Sequence, residues 1–224
     1  MSLRHALLAL LDAGAMTGYE LAKQFDVSVA YVWHAPHSQI YPELRRMEAA
    51  GLITAEALAR GERGTKRAYS LTAAGARELV GWVAEQEAAP PVRAPAYLKA
   101  MYQEYSSFDD ARRRFREHRD HHRGMLEHWQ QHVARLQRRA TPLLQRRLGQ
   151  TPEAAHDAVV AYKVHAYEGL IERARAEVTW AERGLSLVDR LEHAGALPAD
   201  RPPVVPQVLA DDGSAPKARQ TGIG

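Results

Sequence analysis

The sequence predicts a mainly α fold in two parts. Three short helices, a β-hairpin and a fourth helix come first, and a domain of long antiparallel helices follows. Three observations carry this. Apolar residues recur at helical spacing through residues 3–50 and again from residue 109 onward. The pattern changes to strand-like alternation only around residues 52–71. Between the parts, Ala88 to Pro95 holds three prolines in eight residues. Helix cannot continue there, because each proline lacks an N–H and restricts the residue before it.

Leu3, Leu7, Leu8 and Leu11 define a first helix ending near Gly14. With only Arg4 ahead of the apolar run, Asp12 interrupting it and no small-residue cleavage site behind, this segment is expected to be a helix and not a signal peptide. Thr17-Gly18-Tyr19-Glu20 is a capping-box pattern opening a short helix with Leu21, Ala22 and Phe25 on one side. A third helix runs from His37-Ser38 to about Ala50, with Pro42 near its first turn and Gly51 as its stop. Ile40, Leu44 and Met47 form its inward stripe. Ser38, Pro42, Arg45 and Ala49 lie opposite, flanked by Tyr41 and Arg46.

Strands are predicted at Leu52–Glu56 and Arg67–Leu71, joined by the glycine-rich loop Arg60 to Lys66. Thr72 then caps a fourth helix reaching Glu87. That order of elements is a winged helix-turn-helix with a two-stranded wing. The outward Ser/Gln/Tyr/Arg face of the third helix has the chemistry to enter the DNA major groove and read base edges. Arg45 and Arg46 suit guanine or phosphate, Gln39 suits adenine, and Ser38 or backbone N–H groups suit phosphate. At the hairpin, Arg60, Arg63, Lys66 and Arg67 suit the flanking backbone or minor groove.

Three blocks carry a family resemblance: Thr17-Gly18-Tyr19-Glu20-Leu21, Ser38 through Ile53 (SQIYPELRRMEAAGLI), and Lys66 through Gly75 (KRAYSLTAAG). In order and spacing they resemble the PadR family of bacterial transcriptional regulators, and members with a second helical domain resemble this chain over about residues 1–193. The resemblance implies a cytoplasmic homodimer that binds an operator with two-fold symmetry, often as a repressor relieved by a small molecule. It also implies base and phosphate contacts around Tyr19, Ser38, Gln39, Tyr41, Pro42 and Arg45 and along the wing. Packing between the second and third helices is the competing role for Tyr19 and Tyr41.

The division expected is a DNA-binding domain at 1–88, a linker at 89–95, a helical dimerisation and effector domain at 96–195, and a disordered tail at 196–224. The tail has five prolines from Pro198 onward and few large apolar groups. In the helical domain, Asp109 to Arg139 contains no proline, and Ser107 with Asp110 caps its start. Thr151-Pro152 opens the longest helix. Along it Val160, Val164, Tyr167, Ile171, Ala174, Val178, Ala181, Leu185 and Val188 alternate at spacings of four and three, a seam for another long helix. The partner is the Asp109 helix, a second subunit, or both, and dimerisation through the seam is the expectation.

Charge segregates along the chain. The net formal charge is +3, but residues 1–90 carry −1, residues 91–150 carry +7 and residues 151–224 carry −3. The basic excess holds Arg112, Arg113, Arg114, Arg116, Arg119 and Arg123, which are expected to pair with Glu168, Glu172, Glu177 and Glu182. His118/His122 and His128/His132 have zinc-compatible spacing, yet no Cys and no HExxH accompany them, so no metal or cofactor is predicted. There is no GxSxG, P-loop or GxGxxG, and no enzyme is predicted. No stretch approaches the roughly 20 apolar residues of a membrane span. An effector follows from the resemblance alone, and Trp33, His34, Tyr97, Tyr102 and Trp129 are its candidate aromatic contacts. The rival to a DNA-binding regulator is a winged-helix and coiled-coil module that binds protein instead.

Overall fold

A computed structural model describes residues 3–29, 36–59, 65–86 and 94–196. In chain order these form α1 (Leu3–Leu11), β1 (Met16–Thr17), α2 (Gly18–Gln24) running into a π-helical turn (Phe25–Val29), α3 (His37–Ala49), β2 (Ile53–Ala59), β3 (Thr65–Leu71) and α4 (Ala73–Ala84). The second half holds α5 (Pro95–Met101), a short 3-10 turn at Gln103–Tyr105, α6 (Phe108–Gln137), α7 (Pro142–Leu148) and α8 (His156–His193), the last preceded by a 3-10 turn at Glu153–Ala155. Two compact units result. One joins residues 1–91 to 125–173, and the other joins 92–124 to the chain from Ala174 onward.

In the first unit the apolar stripes converge as their spacing requires. Leu7 and Leu8 of α1, Leu21 of α2, Ile40, Leu44 and Met47 of α3, and Ile53 of β2 are all buried, with Phe25 beside them. Thr17 closes the capping box: the Glu20 N–H donates to Thr17 Oγ1 at 3.3 Å, and the Thr17 N–H donates to Glu20 Oε2 at 2.7 Å. The Thr17 N–H and the Thr17 hydroxyl, which also donates to Glu20 Oε2 at 2.8 Å, hold the Glu20 carboxyl below its ordinary range. Gly51, at φ 70°, ends the α3 segment in the left-handed region.

The sheet has three strands, where the sequence suggests two. Its order is β1-β3-β2, with Met16 opposite Tyr69 and Thr17 opposite Ala68. A two-residue strand is too short to show alternation. Three other boundaries move. The fourth helix stops at Ala84, with Glu85 already extended. The longest α-helix begins at His156, not after Thr151-Pro152. The Thr151 hydroxyl donates back to the Arg147 carbonyl at 2.9 Å, so it caps nothing ahead of it. Pro95, expected in the linker, is the first residue of α5.

The winged helix is clasped by α7 within the same unit. Arg147 donates to the Ala9 carbonyl at 2.8 Å and pairs with Asp12 at 2.8 Å, while Arg146 donates to the Ala15 carbonyl at 2.6 Å. Carbonyls at a helix C-terminus lack in-helix partners, and guanidinium groups answer both that deficit and the negative end of the dipole. Tyr167 of α8 adds a bond to the Ser28 carbonyl at 3.0 Å.

The predicted seam on α8 is filled by the chain's own helices. In the first unit Val160, Val164 and Tyr167 pack against buried Leu136, Leu144 and Leu148, and Ile171 is buried as well. In the second unit Ala181 and Val188, with Leu185 alongside, pack on Ala111 and Phe115 of α6, and Ala174 is buried. Val178 is half-buried. A row of small and branched residues satisfies an intramolecular partner as well as a second subunit, so periodicity alone does not separate the two. Arginines of α6 do reach α8: Arg112 pairs with Asp189 and Glu192, and Arg123 with Glu182. Arg113 and Arg119 instead pair with Asp110 and Asp120 on their own helix.

Candidate nucleic-acid interface and ligand cavity

The outer face of α3 exists because its inner face is fully committed. Ile40, Leu44 and Met47 are entirely buried, which turns His37, Ser38, Gln39, Tyr41, Arg45 and Arg46 outward as exposed residues and leaves Pro42 half-buried. Glu43 is the polar exception. It is buried and accepts from Arg46 at 2.9 Å and from Arg4 at 3.3 Å. Arg46 is therefore tethered, whereas Arg45 has no ion-pair partner among the described residues.

Tyr19 and Tyr41 divide the competing roles assigned to them. Tyr19 is 72% exposed and packs little. Tyr41 is 46% exposed, but its ring lies so close to Gly18 that a β-carbon there would stand 2.6 Å from it. Tyr41 thus braces α3 against α2 with one edge and presents the other. On the wing, Lys66 and Arg67 are exposed. Arg67 pairs with Glu48 of α3 at 2.5 Å and lies 5.7 Å from the Tyr69 ring centroid, which ties the wing to α3. Arg60 and Arg63 fall outside the described residues, as do Trp33 and His34.

The first unit also encloses a cavity of 580 Å³, within the range usual for small-molecule sites. Its apolar walls include Leu10 and Val27 of the winged-helix segment, Leu136 of α6, Leu143 and Leu144 of α7, and Leu170 of α8. Its polar lining is cationic or neutral: Lys23, His132, Arg135, Arg147, Lys163 and Tyr167. Burial, reinforced by the Arg147 charge and opposed by Asp12, pulls the Lys163 amine down to about 8. Burial first and Arg135 second pull His132 down to about 4, so its imidazole is neutral at pH 7.

The aromatic residues singled out from sequence lie elsewhere. Tyr97 and Tyr102 belong to the second unit. Tyr97 donates to Glu177 at 2.8 Å and contacts the Trp180 ring, while Tyr102 is exposed. Trp129 is buried and is not among the cavity walls. Tyr167 is, although its spacing suggested only a seam. Lys163 carries no sequence signal that separates it from a solvated helix lysine, and its role appears only when α7 and α8 close around it.

Among the described residues, one group has the donor atoms for a metal ion: His118, His122 and Glu177. The histidine pair was visible from sequence, and the carboxylate on α8 was not. No described helix is long and apolar enough to cross a membrane.

Residues 7–80 match the family of PadR-like transcriptional regulators. A curated relative, the negative transcriptional regulator PadR of Bacillus subtilis, is 29% identical over 189 residues, covering 84% of this chain and 98% of its own. A crystal structure of B. subtilis PadR in complex with operator DNA has a TM-score of 0.65 at 27% identity, with 83% of this chain and 97% of that one covered. Another, in complex with p-coumaric acid, has a TM-score of 0.59 at 28% identity, covering 84% and 95%.

Proposed function

This chain is a transcriptional regulator that carries the PadR-like family domain, and from that premise we propose that it represses transcription as a homodimer whose operator binding a small aromatic acid controls. The observation that carries the DNA-binding part is the exposed face of α3, where Ser38, Gln39, Tyr41 and untethered Arg45 project above a fully buried stripe. Arg45 reads a guanine edge with a two-pronged hydrogen bond, Gln39 reads adenine, and Ser38 with the α3 backbone N–H groups holds phosphate. Lys66 and Arg67 on the wing contact the flanking backbone, as do Arg60 and Arg63, which lie outside the described residues. Tyr19 and Pro42 frame the reading face. Two copies reading two half-sites explain how a domain of nearly neutral charge reaches operator specificity.

The 580 Å³ cavity is the proposed effector site. Its apolar walls suit an aromatic ring, and Lys163, flanked by Arg147, suits a carboxylate. B. subtilis PadR has been crystallised with such an acid, p-coumaric acid. The cavity is bounded by the π-helical turn after α2 and by α1, both of which support α3, so a ligand there acts on the reading helix through the elements beneath it. No catalytic role is proposed, and a repressor acting on chromosomal DNA places the chain in the cytoplasm.

Fluorescence anisotropy with the promoter upstream of the chain's own gene tests this reading. The full chain binds it at nanomolar to micromolar concentration, Arg45→Ala relaxes preference at one base position per half-site, and Lys66→Ala weakens all sequences alike. Added p-coumarate releases the DNA from the parent chain and leaves a Lys163→Met variant bound. Equal affinity for promoter and scrambled DNA would contradict sequence-specific repression.

A further inference from the structure

His118 and His122 stand four residues apart on α6, so both imidazoles fall on one face of the helix, with ring centroids 4.4 Å apart. Glu177 meets them from α8, its Oε2 lying 2.9 Å from His118 Nε2. One donor atom from each of the three lies within 4.8 Å of the other two. We propose that His118, His122 and Glu177 bind a divalent transition-metal ion, zinc by preference, through two imidazole nitrogens and one carboxylate oxygen. The site lies in the second compact unit, and none of its residues belongs to the reading helix or lines the effector cavity.

The chemistry selects the ion. Imidazole donors suit zinc and its first-row neighbours, whereas magnesium and calcium require oxygen ligands. At zinc–ligand distances of about 2.0–2.2 Å, tetrahedral donors stand roughly 3.3 Å apart. The three donor atoms lie within 4.8 Å of one another, so they close up further when an ion binds. Three protein ligands leave a fourth position for water or an exogenous ligand.

The surroundings match what metal sites use. Tyr97 donates to Glu177 Oε2 at 2.8 Å, which orients the carboxylate from outside the site. Trp180 meets the His118 ring edge-on at 5.1 Å. The His118 and Glu177 side chains are 19% and 12% exposed, which shields the site while leaving an ion a way in. A plain hydrogen-bonded clasp between α6 and α8 needs only His118 and Glu177. A metal site also needs His122, and that difference is the test.

Zinc binding is measured by calorimetry on the chelator-treated full chain, using zinc sulfate and the variants His122→Ala, Glu177→Gln, Tyr97→Phe and His121→Ala. His121 is an exposed neighbour, its ring 5.1 Å from that of His122, and serves as the control. The parent and His121→Ala bind one ion per chain at this site. His122→Ala and Glu177→Gln lose at least about tenfold in affinity, and Tyr97→Phe loses about tenfold. Zinc raises the melting temperature of the parent and not that of His122→Ala, each compared with its own metal-free form. Cobalt in place of zinc gives visible absorption bands in the parent that His122→Ala lacks. Absence of zinc binding by the parent, or binding by His122→Ala with parental affinity and stoichiometry, overturns the proposal.

Discussion

Arg45 and Arg46 are adjacent on α3, and among the described residues only one of them has an ion-pair partner. Arg46 bonds to buried Glu43 at 2.9 Å, whereas Arg45 has no ion-pair partner among the described residues. A tethered arginine must give up its partner to reach a base, so Arg45→Ala is expected to reduce discrimination at one base position by about 1–3 kcal/mol. Arg46→Ala leaves that discrimination intact. Competition binding against single-base operator variants separates the two. Lys163 makes a prediction in pH. Its folded pKa of about 8 lies below the ordinary 10.5, so between those values the unfolded chain binds more protons. Global stability therefore rises as pH climbs through that window, and Lys163→Met removes the rise. Affinity for a carboxylate in the cavity runs the other way. It holds below pH 8 and falls above it as the amine loses its charge, which calorimetry at pH 7 and pH 9 resolves.

At the scale of elements, local pairings set geometry that periodicity only outlines. Thr17→Ala removes one half of the capping box and is expected to cost about 1 kcal/mol in chemical denaturation. Gly184 of α8 faces Phe115 of α6, and a β-carbon there would come within 2.5 Å of the ring. Gly184→Ala thus overpacks the interface by about 1–3 kcal/mol, and Phe115→Leu in the same chain restores part of the loss. The capping box at Thr17, the cap at Thr72 and the inward stripe of α3 were all legible in sequence, because each is written within one turn of helix. β1 was not, since two residues show no alternation and its partner Tyr69 lies more than fifty residues away. The seam on α8 was legible as a seam, yet its occupant was not, because α6 and α7 of the same chain offer the surface a second subunit would. The reading face of α3 came through as a pattern of residue types. The tether on Arg46 lies within α3, one turn away at Glu43, whereas the brace between Tyr41 and Gly18 depends on a contact across elements.

For the whole molecule, the net charge of +3 conceals a nearly neutral reading domain and a basic excess in residues 91–150. Part of that excess is engaged internally, through Arg112 and Arg123 on α8 carboxylates, Arg147 on Ala9 and Asp12, and Arg146 on the Ala15 carbonyl. On the proposed reading, the specificity of binding comes from two copies docking on two half-sites. Parts of the α8 seam pack against helices of the same chain, while Tyr162, Leu187 and Leu191 of that helix are exposed. Apolar groups are exposed on α4 (Val80, Val83) and on and after α5 (Leu98, Met101, Tyr105). Sedimentation equilibrium is expected to return a mass near twice 25.0 kDa. The central claim, that α3 and the wing read operator DNA, is tested most directly by titrating the full chain onto its own promoter at potassium chloride concentrations from about 50 to 200 mM. Released counterions predict an affinity that falls steeply and linearly on logarithmic axes, with a slope reduced by about one unit in Lys66→Ala. Affinity that stays flat across that range, or no saturable binding at its low end, would contradict the account.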